Sequence, residues 1–379
     1  MSNLKGKFPV TAITLAGLED VLAEELKGWG AEEVETSRRA VTFVGDKKLI
    51  YILNYHSRLA LRFLIPLEDM EIKGQDDLYN AVYNIPWEDW ITVNNTIAVD
   101  TLLNSSMFKH NHFPSLKAKD AIVDRFRKQT GDRPSVDPEE ADMRIHLRVQ
   151  QNQLYISIDS SGRSLNKRGY RDSGHIAPLN EVLAAGLVAL SEWDCNSTFL
   201  DPMCGSGTIL IEAAMKARGI PAGSLRSYFP FKKWKGFDKD LWNEVKNMES
   251  IGASTSMIPD MLGFDHSGKA LSEARENIRR AGLTAFIELE KAEFGEYRAP
   301  RKKGIIIMNP PYGERIQPED IDALYKEIGD IFKQKFEGFQ AWILSANMEA
   351  LKKVGLKSKR RIPLYNGKLE CRFVNYELY

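Results

Sequence analysis

The apolar run Ile305-Ile306-Ile307-Met308 ends in Asn309-Pro310-Pro311-Tyr312-Gly313. These residue types suit a planar amino group. The Asn309 side-chain oxygen and the Pro310 carbonyl can accept hydrogen bonds from an exocyclic NH2, and the Tyr312 ring can stack on the base that carries it. Pro310 and Pro311 fix φ and lower the cost of holding the acceptors in place, while Gly313 can take a backbone geometry that a side chain resists. Taken alone, Asn-Pro-Pro reads equally well as a turn after a buried strand.

A second motif changes that balance. The segment Thr198 to Thr208 (TFLDPMCGSGT), followed by the apolar-periodic Ile209 to Ala217, reads as strand, glycine loop and helix. Such a strand delivers a ligand to a helix N-terminus, where glycines admit close backbone approach and unpaired N–H groups face the bound molecule. The position three after Gly207 is Leu210, so the dinucleotide fingerprint is missing, and no Gly-Lys-Ser/Thr follows, which excludes a P-loop. Asp201, at the strand end, suits a ligand with a cationic amine. A third segment, Met261 to Asp265, is a short apolar run ending in a carboxylate before a helical pattern over 270–281. Asp265 is placed to accept from ribose hydroxyls, or to cap that helix. The separation from the glycine loop exceeds the usual ~20 residues, so an insertion must occupy part of 219–258.

Together these motifs resemble the class I methyltransferases that use S-adenosylmethionine. The flanking strings APLNEVLAAGL (177–187), DPMCGSGT, GFD and MNPPYGER are similar to bacterial enzymes that methylate the guanine exocyclic amine, N2, in large-subunit ribosomal RNA. Upstream, KAKDAIVDRFRKQTG (117–131), RPSVD (133–137) and SIDSSGRSLNKRGYR (157–171) resemble the THUMP RNA-binding module of that family. The resemblance implies S-adenosylmethionine as cofactor. It places Asp201, Cys204, Gly205, Gly207 and Thr208 at the methionine end, Asp265 at the ribose and Glu293 at the adenine, with Asn180 and Glu181 framing the methionine pocket. It implies direct methyl transfer, with Asn309, Pro310, Pro311 and Tyr312 orienting the amine and no general base required; Glu314 is not assigned that role. Rival readings of the same motifs are a transfer-RNA guanine methyltransferase, a DNA adenine-N6 methyltransferase, a methyltransferase for a protein glutamine amide, and a catalytically silent RNA-binding protein.

The composition supports a globular chain: 379 residues, 43% hydrophobic and 27% charged. With 52 basic and 52 acidic residues, the chain is no general polycation, so nucleic-acid binding must come from local asymmetry. Between Lys109 and Arg171 there are 13 Lys or Arg against 8 Asp or Glu, a net of +5. Lys119 and Arg125 in the THUMP-like stretch, with Lys167, Arg168 and Arg171 at its end, are the candidate RNA contacts. Tyr228 to Trp234 (YFPFKKW) interleaves aromatic and basic residues as a nucleic-acid platform would, though such rings more often form core. Cys195, Cys204 and Cys371 show no metal-ligand spacing and fit a reducing compartment. No continuous apolar stretch of about 18 residues suggests a membrane span. The expected location is therefore cytoplasmic, and the expected partner is ribosomal RNA or an assembling ribosomal particle, with no membrane. The sequence sets no oligomeric state.

These motifs need elements to position them. Strands over 8–15, 40–44 and 59–67 with helices near 18–28 and 47–56 suggest a ferredoxin-like α+β subdomain over 1–67. A THUMP region follows over 68–161, with a helix over 116–128 and strands over 144–149 and 153–158. The methyltransferase domain spans 162–379: helices over 178–191, 208–218 and 267–281 alternate with strands over 197–201, 260–264, 285–290, 304–308 and 341–346. That alternation predicts a doubly wound, Rossmann-like α/β sheet, and Asn366-Gly367 predicts a C-terminal antiparallel hairpin.

Overall fold

The structure, a computed structural model, describes residues 4–110, 112–171, 179–249, 259–296, 303–313 and 318–379, with 318 and 319 as backbone only. Asp172, residues 177–178 of the pre-loop string, part of the 219–258 insertion and Glu314 lie outside the described residues. The chain forms two compact units, one made of Met1–Thr14, Leu22–Leu165 and Arg226–Met248, the other of Leu15–Val21, Asn166–Leu225 and Glu249–Tyr379.

The strands of the first unit are β1 (Phe8–Ile13), β2 (Glu32–Ser37), β3 (Ala40–Gly45), β4 (Arg62–Glu71), β5 (Thr96–Asn104), β6 (Ser135–Val136), β7 (Met143–Gln150) and β8 (Gln153–Asp159). They form one sheet in the order β2-β3-β1-β4-β8-β7-β5-β6. The helices up to this point are α1 (Glu19–Gly28), α2 (Lys47–His56), α3 (Gln75–Asn84) and α4 (His112–Thr130). The expected division after residue 67 falls inside β4, which pairs with β1 at one end and β8 along its length. The ferredoxin-like and THUMP-like segments thus share a continuous sheet.

Arg226–Met248 returns to this unit, and its aromatic residues overturn the platform reading. Phe229, Phe231 and Trp234 are buried. Phe231 stacks on Tyr51 of α2 at 4.8 Å between centroids, and the Trp234 indole donates to the Asp142 carbonyl at 2.8 Å. Burying such a ring contributes about 2–3 kcal/mol, so the aromatics serve as core while Lys232 and Lys233 face solvent.

The second unit contains α5 (Glu181–Leu190), β9 (Thr198–Asp201) and α6 (Thr208–Ala217); α7 (Lys239–Lys246) belongs to the first. Then come β10 (Met261–Asp265), α8 (Gly268–Arg280), β11 (Glu288–Lys291), β12 (Gly304–Met308), α9 (Pro318–Lys335), β13 (Gln340–Ser345), α10 (Met348–Lys353), β14 (Ser358–Asn366) and β15 (Leu369–Glu377). The sheet order is β11-β10-β9-β12-β13-β15-β14. The first five strands are parallel, and β15 runs antiparallel to both β13 and β14. Every residue of β9 and four of the five in β12 are buried, the continuous apolar pattern of a strand covered on both faces. Leu200, Ile306, Met308 and Ile343 pack there with Tyr325 and Ile328 of α9.

Candidate functional site

The order of strands reverses at β9: β10 and β11 lie to one side, β12 and β13 to the other. A parallel sheet opens a crevice at the carboxyl ends of the strands at such a switch point. Asp201 ends β9, Asp265 ends β10, and Asn309 follows β12 directly. Asp201 is level with Gly263, so Asp265 stands two residues further along the adjacent strand.

Asp201 is 1% exposed, and neither carboxylate oxygen has a hydrogen-bond partner. Burial pushes its carboxyl well above the usual carboxylate range; the nearby Met203 amide offsets only part of this, and the charge of Asp265 adds to it. A buried acid without a donor is costly. It makes sense in a protein that receives a cation there. The glycine loop is fastened from outside: the Gly205 amide donates to Asp265 Oδ2 at 3.0 Å, and the Asn277 side-chain amide donates to the Ser206 carbonyl at 3.0 Å. Gly205 has φ +52°, and a Cβ there would meet nothing within 4 Å, which leaves open space beside the loop. Gly207 caps α6 with no side-chain hydrogen bond, and Thr208 is the first helical residue.

Asp265 does not cap α8; Ser267 does, accepting from the Ala270 amide at 3.3 Å. Instead Asp265 Oδ1 accepts from the Ser267 amide at 2.8 Å while Oδ2 holds the loop. Each oxygen keeps a further lone pair for a ligand hydroxyl. Glu293 is exposed and lies two residues beyond Lys291, the β11 partner of Asp265. Burial pushes the Cys204 thiol well above its ordinary range, with Asp201 and Asp265 adding to the effect, so this cysteine is no thiolate nucleophile.

The Asn-Pro-Pro-Tyr loop is braced from α9 and the end of β13. The Tyr325 hydroxyl contacts the Pro311 carbonyl at 3.3 Å and Ser345 Oγ at 2.7 Å, and Asn347 Nδ2 donates to the Tyr312 carbonyl at 3.4 Å. Gly313 has φ +106°, the strained region for which a glycine is suited. Asn309 is partly exposed, Pro310 buried and Pro311 exposed. One feature differs from expectation: the Tyr312 hydroxyl donates to Asn309 Oδ1, so the acceptor meant for a base amine is held by the loop's own tyrosine. The bracing residues Tyr325, Ser345 and Asn347 were not legible beforehand, since nothing in their spacing relates them to the loop.

Several expected contacts are structural. Arg168 is 1% exposed and pairs with the equally buried Glu212 at 3.4 Å, with the Tyr170 hydroxyl donating to the same carboxylate at 3.0 Å. It therefore does not face RNA. Arg171 is also withdrawn, its side chain 13% exposed and paired with Glu181 at 3.2 Å. Arg125 binds Glu88 through Nε at 2.7 Å and the Tyr83 carbonyl at 3.0 Å, and Lys119 is half-buried beside Asp120. A cation at low dielectric needs such partners, which is why Arg168, Arg171 and Arg125 turn inward, whereas Lys119 and Asp120 stay at the surface. Lys167 stays exposed. Asn180 caps α5, accepting from the Val182 and Leu183 amides, and Glu181 is buried in the first turn. The α3–α4 surface carries a feature missed in sequence: Tyr79 and Tyr83 stack at 5.9 Å, with Lys117 and Lys128 over their rings. The tyrosines' four-residue spacing on α3 is the signal that could have found it.

The chain is similar to known proteins along nearly its whole length. The family described as RMKL-like, methyltransferase domain, matches residues 168–375, the THUMP domain 73–159, and the RlmL ferredoxin-like domain 10–64. A Synechocystis protein named "Putative RNA methyltransferase slr0064" is 36% identical over 372 residues, 98% of this chain and 97% of its own. The "Ribosomal RNA large subunit methyltransferase K/L" of Syntrophotalea carbinolica is 38% identical over 96% of this chain, but the match spans only 52% of that protein, so the chain is about half the length of such relatives. The crystal structure of SMU.472 complexed with SAH superposes with a TM-score of 0.88 at 29% identity, covering 99% of each chain.

Proposed function

The chain belongs to the RMKL-like methyltransferase family, and from that premise we propose that it methylates the exocyclic N2 of a guanine in large-subunit ribosomal RNA, using S-adenosylmethionine, in the cytoplasm. The observation that carries the reading is the pairing, on adjacent strands at the switch point, of an unpartnered buried acid beside a glycine loop with an Asn-Pro-Pro-Tyr loop. Asp201, with its orphaned oxygens, fits the ammonium of the methionine end, and the open space at Gly205 fits a ligand lying against the loop. When bound, the cofactor supplies an electrophilic methyl group on its sulfonium.

The chain's own residues then orient and stabilise. An aromatic amine is a weak nucleophile because its lone pair is delocalised into the ring. Asn309 Oδ1 and the Pro310 carbonyl accept from the NH2 as it pyramidalises and gains positive charge, help that is concentrated in the transition state. The proton then passes to water. Tyr312 must first release Asn309, and its ring can replace the stacking that a base loses on leaving its helix. The α3–α4 aromatics with Lys117 and Lys128, and the exposed Lys167, supply RNA contacts of the stacking and electrostatic kind.

The test is transfer of tritiated methyl from S-adenosylmethionine to total RNA, followed by mass spectrometry of the nucleosides and mapping of the labelled fragment. N2-methylguanosine in a large-subunit fragment is the expected product. Label confined to transfer RNA, or no label, would reject it. The full chain must be used: removing residues 1–160 strips the partners from Phe231 and Trp234, so the remainder would expose a core face.

The latch yields a further prediction. Tyr312→Phe frees Asn309 but keeps the ring, so single-turnover methylation should stay within about tenfold of wild type, whereas Tyr312→Ala should lose more, since one stacked base contributes about 1–3 kcal/mol. A Phe variant as impaired as the Ala variant would assign the hydroxyl a chemical role.

A further inference from the structure

We propose that Arg171 is the receptor for the carboxylate of the methionine end of S-adenosylmethionine, a role that deepens the function above and rests on it. Arg168 and Arg171 look alike in sequence, but their surroundings differ. Arg168 sits with Glu212 and Tyr170 in a fully buried cluster. Arg171 instead reaches the glycine loop. Its Nη2 donates to Oγ1 of Thr208, the first helical residue after Gly207, and its Nη1 donates to the Leu179 carbonyl at 3.0 Å. Its Nε is buried with no partner.

The electrostatics at that point are incomplete. The N-terminus of a helix carries partial positive charge and favours an anion. At α6 the structure offers the opposite: the capping residue Gly207 supplies no side-chain acceptor, and a guanidinium stands on the first turn. The neighbouring anion, Glu181, pairs with Arg171 at 3.2 Å, but it also accepts from the Asn166 amide at 3.2 Å and occupies the first turn of its own helix, α5. Two positive features therefore converge on the loop from the helix side. On the strand side stands Asp201, almost wholly buried, with both oxygens unpartnered. An acid with both oxygens unpartnered and a guanidinium whose Nε is buried without an acceptor flank one glycine loop. That arrangement matches an α-amino-acid group, its ammonium toward Asp201 and its carboxylate toward Arg171 and the amides of α6. Arg171 thereby acts in cofactor binding, not in RNA binding.

Calorimetric titration of the full chain with S-adenosylmethionine and with its decarboxylated analogue tests this. The wild type should bind S-adenosylmethionine at least about tenfold more tightly than the analogue, since only the former carries the carboxylate. Arg171→Met should weaken S-adenosylmethionine binding by about 10–100-fold and change the analogue by less than about threefold. Equal wild-type affinities, or parallel losses for both ligands in the variant, would overturn the assignment and leave Arg171 a scaffold residue. If Arg171→Met does not fold, as judged by circular dichroism, Arg171→Lys takes its place: a larger loss for S-adenosylmethionine than for the analogue supports the assignment, and equal changes for both overturn it. Binding of neither ligand by the wild type would overturn the cofactor reading itself, and with it this inference.

Discussion

Asn309→Ala is expected to lower single-turnover methylation by about 10² or more while S-adenosylmethionine affinity stays close to wild type. The split follows from where the residue sits. Asn309 lies just past the last residue of β12, whereas the glycine loop and Asp201 belong to β9. The substitution removes the side-chain oxygen proposed to accept from the reacting amine but alters no contact of the glycine loop, which Asp265 and Asn277 fasten independently. The fold should tolerate it, because Ile305 to Met308 remain buried and Tyr325 and Asn347 hold the following turn through backbone carbonyls. Rapid-quench measurement with saturating cofactor and RNA isolates the chemical step. An unchanged rate would remove Asn309 from the reaction, and a parallel loss of cofactor affinity would make it a scaffold for the whole crevice.

What was legible in sequence depended on how local the cause was. α2 spans Lys47–His56, the expected range, because its apolar periodicity and Asp46 cap are both written in adjacent residues. β12 and the hairpin around Gly367 were legible for the same reason. β2 was not: Glu32–Ser37 is acidic and almost fully exposed, an edge strand with no apolar face to betray it. Tyr228 to Trp234 fits either a platform or core on its residue types alone, and what decides for core is Tyr51, which stacks on Phe231 from α2 and which no local pattern pairs with it. Charge also misled at the site. Lys167, Arg168 and Arg171 form one basic run, but Glu212 and Glu181, which draw two of them inward, are contributed by α6 and α5. A run of like charges reveals nothing of partners that arrive from other elements.

Asp201→Asn is expected to weaken S-adenosylmethionine binding by about 10–100-fold, the loss of a hydrogen bond to a charged group, and at the same time to stabilise the unliganded protein relative to wild type as pH rises. The sign comes from the buried carboxyl. Its pKa in the folded state lies well above the ordinary value, chiefly through burial. Between the unfolded pKa of about 3.9 and the folded one, the native state holds more proton than the unfolded state, so this residue's contribution to stability falls as pH increases through that window. The slope is about 1.4 kcal/mol per pH unit within it. Asparagine does not titrate, so the variant should lack that slope, and the gap between the two melting curves should widen with pH until the folded pKa is passed. A bound ammonium favours the ionised acid, so in wild type cofactor binding should release a proton and tighten as pH rises toward the unliganded pKa; in the variant both effects should vanish. Calorimetry in buffers of different ionisation enthalpy counts the proton directly. Proton release that persists in Asp201→Asn would move the titrating group elsewhere, and a variant less stable than wild type across the whole range would mean that the acid has a partner in the unliganded state after all. The combination expected here, a less effective binding site in a more stable protein, is what separates a residue kept for its ligand from one kept for the fold.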